Sequence, residues 1–151
     1  MEIIYLVGLP AVGKSTFITK NFPNHYVVSN DIIVEEYAKQ HNMKYNEAFG
    51  KLSSKEVKRE CKKRFNEAIE NNYNIVIDNT NLTVRSRQLY EHENYRKVAY
   101  VFNISEEKHK QHIEKRLKET GKYVPESVIE QMKNIFVYPS KEEGFDEIIN
   151  V

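Results

Sequence analysis

Gly8-Leu9-Pro10-Ala11-Val12-Gly13-Lys14-Ser15 satisfies the pattern G-x-x-x-x-G-K-[ST], with Thr16 adding a neighbouring hydroxyl. The spacing suits one kind of chemistry. Glycines let the backbone curl until successive N–H groups point at phosphate oxygens, and the N-terminus of a following helix adds partial positive charge. Lys14 then reaches the β and γ phosphates, and Ser15 is placed to ligate Mg²⁺. Gly8, Pro10, Ala11, Val12, Gly13, Lys14, Ser15 and Thr16 are therefore the candidate ATP-binding residues. A tight strand-to-helix turn that merely packs is the competing reading.

A phosphate loop needs partners at neighbouring strand ends, because ligands of open α/β sheets bind beyond the carboxyl ends of the strands. Two apolar runs end in carboxylates: Ser29-Asn30-Asp31 follows HYVV, and Asp78-Asn79-Thr80-Asn81 follows YNIVI. Asp31 can serve as general base for an attacking hydroxyl, although Ser, Asn and Asp also suit the cap of the helix that follows. Asp78 can help hold Mg²⁺, directly or through water, or can close a turn. Asn79, Thr80 and Asn81 lie where a substrate would, and they equally suit loop-closing side-chain bonds.

Transition-state charge calls for a cation on a movable element. Arg116 lies on the last turn of the helical pattern EEKHKQHIEKRLKET, near Lys115, Lys118 and Lys122. The stripe Lys51, Lys55, Lys58, Lys62, with Arg59 and Lys63, could follow a phosphate backbone, while interleaved Glu56, Glu60 and Glu67 suit pairing along a solvated face. His109 and His112 lack the further Cys or His that a metal site needs.

These groups require a frame of strands and helices. Ile3 to Val7 is apolar and rich in β-branched residues, the pattern of a strand buried on both faces. Similar runs recur at His25–Ser29, Tyr73–Ile77, Lys97–Phe102 and Glu147–Val151. Helical patterns fall between them at roughly 14–20, 31–40, 53–71, 83–94, 105–119 and 126–135. The alternation predicts an α/β fold, a parallel sheet of about four or five strands flanked by helices. Residues 40–52 and Glu119–Pro125 are the least regular, and the second is a candidate C-terminal lid.

Composition narrows the class. The chain has 151 residues, 40% hydrophobic and 30% charged, with a net charge of +1, so one domain spanning 1–151 is expected and no overall basic field marks a partner. Cys61 is the single cysteine, so no intramolecular disulfide can form. No long unbroken apolar stretch and no basic leader are present, which together predict a cytoplasmic protein without a membrane partner. No N-K-x-D or D-x-x-G motif of guanine-nucleotide switches occurs.

The motifs in combination resemble the polynucleotide 5′-hydroxyl kinases, the end-healing kinases of bacteriophages and animals. The match runs through G-x-P-x-x-G-K-S-T-F (Gly8–Phe17), S-N-D (Ser29–Asp31), I-D-N-T-N (Ile77–Asn81), R-x-R (Arg85, Arg87), K-R-x-x-x-T-G-x-x-V-P (Lys115–Pro125) and E-G-F (Glu143–Phe145), in order over nearly the whole chain. The resemblance implies a P-loop NTPase fold with a lid, and transfer of the γ-phosphoryl of ATP, with Mg²⁺, to a 5′-hydroxyl of DNA or RNA. It implies Asp31 as base, Lys14 and Arg116 as catalytic cations, Ser15 and Asp78 at the metal, and Asn79, Thr80, Asn81, Arg85 and Arg87 on the acceptor side.

This sequence departs from the family in three places. Val34 stands where many members carry an acceptor-gripping Arg, Thr120 rather than Arg precedes Gly121, and no D-x-D phosphatase mark occurs. A stand-alone kinase is expected, its acceptor a polynucleotide end or a hydroxymethylated base in DNA. A kinase of small alcohols such as nucleosides or sugars is the alternative, and an NTP-dependent switch module is the third.

Overall fold

The computed structural model describes all 151 residues. Strands β1 (Glu2–Val7), β2 (Tyr26–Val28), β3 (Ile75–Asp78), β4 (Arg96–Val101) and β5 (Glu147–Asn150) form one sheet in the order β2-β3-β1-β4-β5. Every pairing is parallel. Parallel strands need crossovers, and these carry α1 (Lys14–Asn21), α2 (Asn30–Gln40), α3 (Tyr45–Lys51), α4 (Ser54–Glu70), α5 (Val84–Arg87), α6 (Glu106–Thr120) and α7 (Glu126–Ile135). All five expected strands are present, with ends shifted by a residue or two. None of the helices is long and apolar enough to cross a membrane.

The two-residue period of β1 divides the core. Ile3, Tyr5 and Val7 face a cluster with residues of α2, α3 and α4, whereas Ile4 and Leu6 face Ile18 of α1 and Phe22 just after it, with Val76 and Val98. Helix α4 shows the helical counterpart: Val57, Cys61, Phe65 and Ala68 recur at three- and four-residue steps and are all buried, and a Ser53–Glu56 capping box starts the helix. Burial pushes the Cys61 thiol up to about 11, so it is a protonated core group that donates to Asn30 Oδ1 at 3.0 Å.

Two expectations need correction. The predicted helix 83–94 stops after one turn, because the Tyr5 hydroxyl claims the backbone of Tyr90: it donates to the Tyr90 carbonyl at 3.0 Å and accepts from its N–H at 3.2 Å. The segment 40–52, expected to be irregular, contains α3, whose fully buried Ala48 anchors it against the core.

β1 is the centre of the sheet, with β3 on one side and β4 on the other. The connection after β1 runs to β2 on one side and the connection after β3 crosses to β4 on the other, which opens a crevice above the carboxyl end of β1. Val7 delivers the chain into Gly8 at that point.

Candidate active site

The loop leaving β1 is held at both ends. Gly8 N–H donates to the Thr80 carbonyl at 3.0 Å, and a Cβ on Gly8 would stand 3.0 Å from Phe102 Cβ and 3.2 Å from Val12 Cγ2. Only glycine lets the chain pass there. Ala11 (φ 62°) and Gly13 (φ 100°) take left-handed conformations, which turn the amides inward and, at Ala11, store strain of about 1–2 kcal/mol. The first amide to bond back is that of Phe17, onto the Gly13 carbonyl at 3.1 Å; the amides of residues 11–16 find no acceptor in the protein. This row of free donors at a helix N-terminus fits a phosphate chain. Ser15 and Thr16 are exposed on the same turn, where a hydroxyl can reach a cation held by that chain.

Lys14 Nζ donates to the Gly8 carbonyl at 2.9 Å and the Asn79 carbonyl at 3.2 Å. Burial lowers its pKa to about 8, against the opposing pull of Asp78 and Asp31. A phosphate beside the ammonium would restore the proton, so a nucleotide bound there would take up a proton above pH 8, with affinity falling as the pH rises through that window. Calorimetry with a non-hydrolysable ATP analogue is expected to show Kd rising roughly 10- to 30-fold between pH 7.5 and 9.5. A flat profile would remove Lys14 from the phosphate contact. Without ligand the sign for folding is opposite: the buried charge costs stability below pH 8, and that cost fades as the pH climbs toward the unfolded lysine value.

The β2 and β3 ends bring the carboxylates to the same crevice, since Val28 is in register with Ile77 and Leu6 with Asp78. Ser29 is the cap of α2, its Oγ accepting from the Ile32 amide at 3.4 Å. The cap reading of Asp31 therefore falls. Its Oδ1 accepts from the Tyr45 hydroxyl at 2.6 Å and its Oδ2 from Arg116 Nη2 at 3.0 Å. Asp78 is held above the usual carboxylate range by burial, with Lys14 opposing and the Asp31 charge adding. Lys14, Asp78, Asp31 and Arg116 thus form a single electrostatic cluster over the end of the sheet.

Helix α6 ties this cluster to the phosphate loop. His109, buried, donates from Nε2 to the Pro10 carbonyl at 2.8 Å, and His112 from Nδ1 to the Ala11 carbonyl at 3.1 Å. With Arg116 they occupy positions i, i+3 and i+7, one face of the helix. The histidines brace the strained loop, and the arginine reaches the carboxylate. That spacing was present in the sequence and is the signal that identifies the face. Beyond α6, Lys122 pairs with Glu35 and stands 4.7 Å over the Tyr45 ring, while Asn46 Nδ2 donates to the Gly121 carbonyl at 2.9 Å. The candidate lid therefore rests on α2 and α3.

Three expected acceptor-side residues lie elsewhere or serve the frame. Arg87 is fully buried, with Nε and Nη2 on the Glu143 carboxylate at 2.8 and 3.0 Å and Nη1 on the Asn81 carbonyl at 2.9 Å. Asn81 is buried at φ 50°, its amide on the Leu6 and Ile77 carbonyls. Neither can touch a substrate, because both are used up in joining β1, β3 and the chain near Glu143. Asn79 Oδ1 accepts from the Asn30 amide at 2.8 Å and so sets the spacing of the two strand ends. Thr80 is half-buried and Arg85 exposed. Tyr45 is the site residue sequence reasoning missed: it lies in the segment that showed no helical pattern.

A family model described as an AAA domain matches residues 3–139. A bifunctional polynucleotide phosphatase/kinase of Schizosaccharomyces pombe is 28% identical over 155 residues, covering 99% of this chain and 33% of that protein, so the chain spans about a third of the relative's length. A sugar kinase structure from Janibacter sp. has a TM-score of 0.65 at 12% identity, covering 99% of this chain and 85% of the other. Chaetomium thermophilum Kti12 in complex with ADP-AlF3 follows at 0.61 and 18%, covering 99% and 88%. A gluconokinase from Sinorhizobium meliloti gives 0.57 and 15%, covering 99% and 81%. At these identities the likeness is one of fold, and the fold is P-loop kinase-like.

Proposed function

The chain belongs to the AAA domain family, and from that membership and the site's geometry we propose that it transfers the γ-phosphoryl group of ATP to a hydroxyl of a polynucleotide. The observation that carries the reading is the Asp31 carboxylate, paired with Arg116 in the first turn of α2 beyond β2, in one electrostatic cluster with Lys14 of the phosphate loop. A strand-end carboxylate next to a triphosphate site is what an alcohol acceptor needs. The polynucleotide acceptor is supported by the ordered motif match and by the name of the Schizosaccharomyces pombe relative.

In this reading the amides of residues 11–16 and Lys14 hold the phosphates. Ser15 and Asp78 would hold Mg²⁺, which when bound neutralises phosphate charge. The acceptor hydroxyl enters beside Asp31, which takes its proton as the oxygen bonds the γ phosphorus and the bond to the β-bridging oxygen breaks, releasing ADP. Arg116 leaves Asp31 for the transferring group. Charge neutralisation of this kind dominates phosphoryl transfer, because the transition state is loose and spreads charge over the equatorial oxygens.

A kinase of small alcohols is the second reading. Val34, where an acceptor-gripping arginine is common in the resembled family, is buried, so α2 offers no cation there for an acceptor phosphate. Incubation with γ-labelled ATP, Mg²⁺ and a panel of 5′-hydroxyl DNA, 5′-hydroxyl RNA, hydroxymethyl-pyrimidine DNA and free nucleosides separates them. Label on oligonucleotides alone is the expected result. Label on nucleosides selects the small-alcohol kinase, and label in orthophosphate only selects a switch module without an acceptor.

A further inference from the structure

Helix α3 presents a feature that phosphate binding leaves unused. Tyr45 and Phe49 lie one turn apart and stack, ring centroids 6.1 Å apart at an interplanar angle of 29°. The inner ring is fixed, its hydroxyl on Asp31 at 2.6 Å and the Lys122 ammonium 4.7 Å from its centroid. The outer ring is 65% exposed. A phenylalanine ring left in water carries the unfavourable cost of hydrating apolar surface, which a covering partner relieves. Lys44 and Lys51 lie at the two ends of the same helix, and Lys55 and Lys58 lie on the first turns of α4; all four are exposed and enter none of the ion pairs. Glu47 is the one carboxylate on α3, and Glu56 and Glu60 share α4.

We propose that Phe49, backed by Tyr45, is a stacking platform for a base near the 5′ end of a single-stranded acceptor, with the unpaired lysines of α3 and α4 following its phosphates. The proposal rests on the polynucleotide reading of the same site and deepens it. Stacked aromatics flanked by unpaired cations are the chemistry that holds single strands without regard to sequence, since every base has a π-face and every linkage a charge. The ladder also begins at the carboxylate, so a strand seated on Phe49 delivers its terminal hydroxyl toward Asp31. It supplies on α3 the acceptor grip that the buried Val34 cannot supply on α2.

The test uses a 3′-labelled, 5′-hydroxyl DNA octamer and fluorescence anisotropy at fixed salt, with kinase assays on the same oligonucleotide. Phe49→Ala is expected to weaken binding and raise KM roughly 5- to 100-fold, the range for one lost base stack, leaving kcat within about twofold and nucleotide affinity unchanged. Phe49→Trp should retain binding. The sharper arm places abasic sugars at the first two positions: the wild type then loses the same factor, and Phe49→Ala loses nothing more. If Phe49→Ala binds intact octamer as tightly as the wild type while both label it, the platform is overturned and the polynucleotide reading stands. If the wild type neither binds nor labels oligonucleotides, the polynucleotide reading fails and the platform with it. A wild-type dimer in light scattering that Phe49→Ala disperses would assign the face to a second copy of the chain, which also overturns the proposal.

Discussion

Asp31→Asn is expected to slow phosphoryl transfer by about 10²- to 10⁴-fold, the contribution of a positioned general base, while the Kd for a non-hydrolysable ATP analogue stays within a few-fold. The asymmetry follows from the geometry. Asp31 sits in the first turn of α2, just beyond β2, and bonds Tyr45 and Arg116, whereas the nucleotide contacts proposed above come from the loop after β1. Asparagine keeps an oxygen for the Tyr45 hydroxyl and loses the charge, the proton affinity and the oxygen that accepts from Arg116. Single-turnover kinetics isolates the chemical step from product release, and the thermal midpoint checks that the fold is intact. Turnover within threefold of the wild type in a folded variant would remove Asp31 from the mechanism.

Arg87→Met is expected to cost about 3–5 kcal/mol of stability, the usual consequence of leaving half of a buried pair behind. The Arg87 side chain is 0% exposed and that of Glu143 6%, so solvent cannot replace the lost partner, and the Asn81 carbonyl loses a donor as well. For a chain of this size that is a fall in Tm of roughly 6–20 °C. Burial pushes the Glu143 carboxyl up, but the bonds from Arg87 and the Ser140 amide outweigh it and hold it below the ordinary glutamate range. The sign is that of a depressed acid: the wild-type pair stabilises above the unfolded glutamate value and is lost as the pH falls through the folded one. Arg87→Met should flatten that acid limb, and adding Glu143→Leu should recover part of the stability by removing the orphaned charge. A variant melting within 2 °C of the wild type would show that the pair carries little of the fold.

These two residues also show why motif matching conflates two kinds of requirement. R-x-R and E-G-F both contribute to the family resemblance, and in the structure they meet: Arg87 grips Glu143, Gly144 turns the chain at φ 94°, and Phe145 is buried edge-on to Tyr5 at 5.8 Å. Their order in the chain says nothing of this, because Arg87 and Glu143 are 56 residues apart. A motif arginine near a phosphate loop reads as a substrate ligand until its burial is known.

What the linear order of residues determined by itself is whatever depends on near neighbours. Gly8 to Ser15 specify a curled backbone with inward amides through local conformational preference and a helix start. The β-branched runs specify buried parallel strands, and the steps Val57, Cys61, Phe65, Ala68 specify one face of α4. Tertiary structure alone decided what depends on distant partners. It placed Tyr45 on Asp31, lent His109 and His112 to the phosphate loop, stopped α5 through the Tyr5 hydroxyl, and turned Asn81 and Arg87 into struts. The physical reason is range: dihedral preference and side-chain periodicity act over a few residues, whereas hydrogen bonds and burial between sheet, loop and lid exist only once the chain has closed on itself.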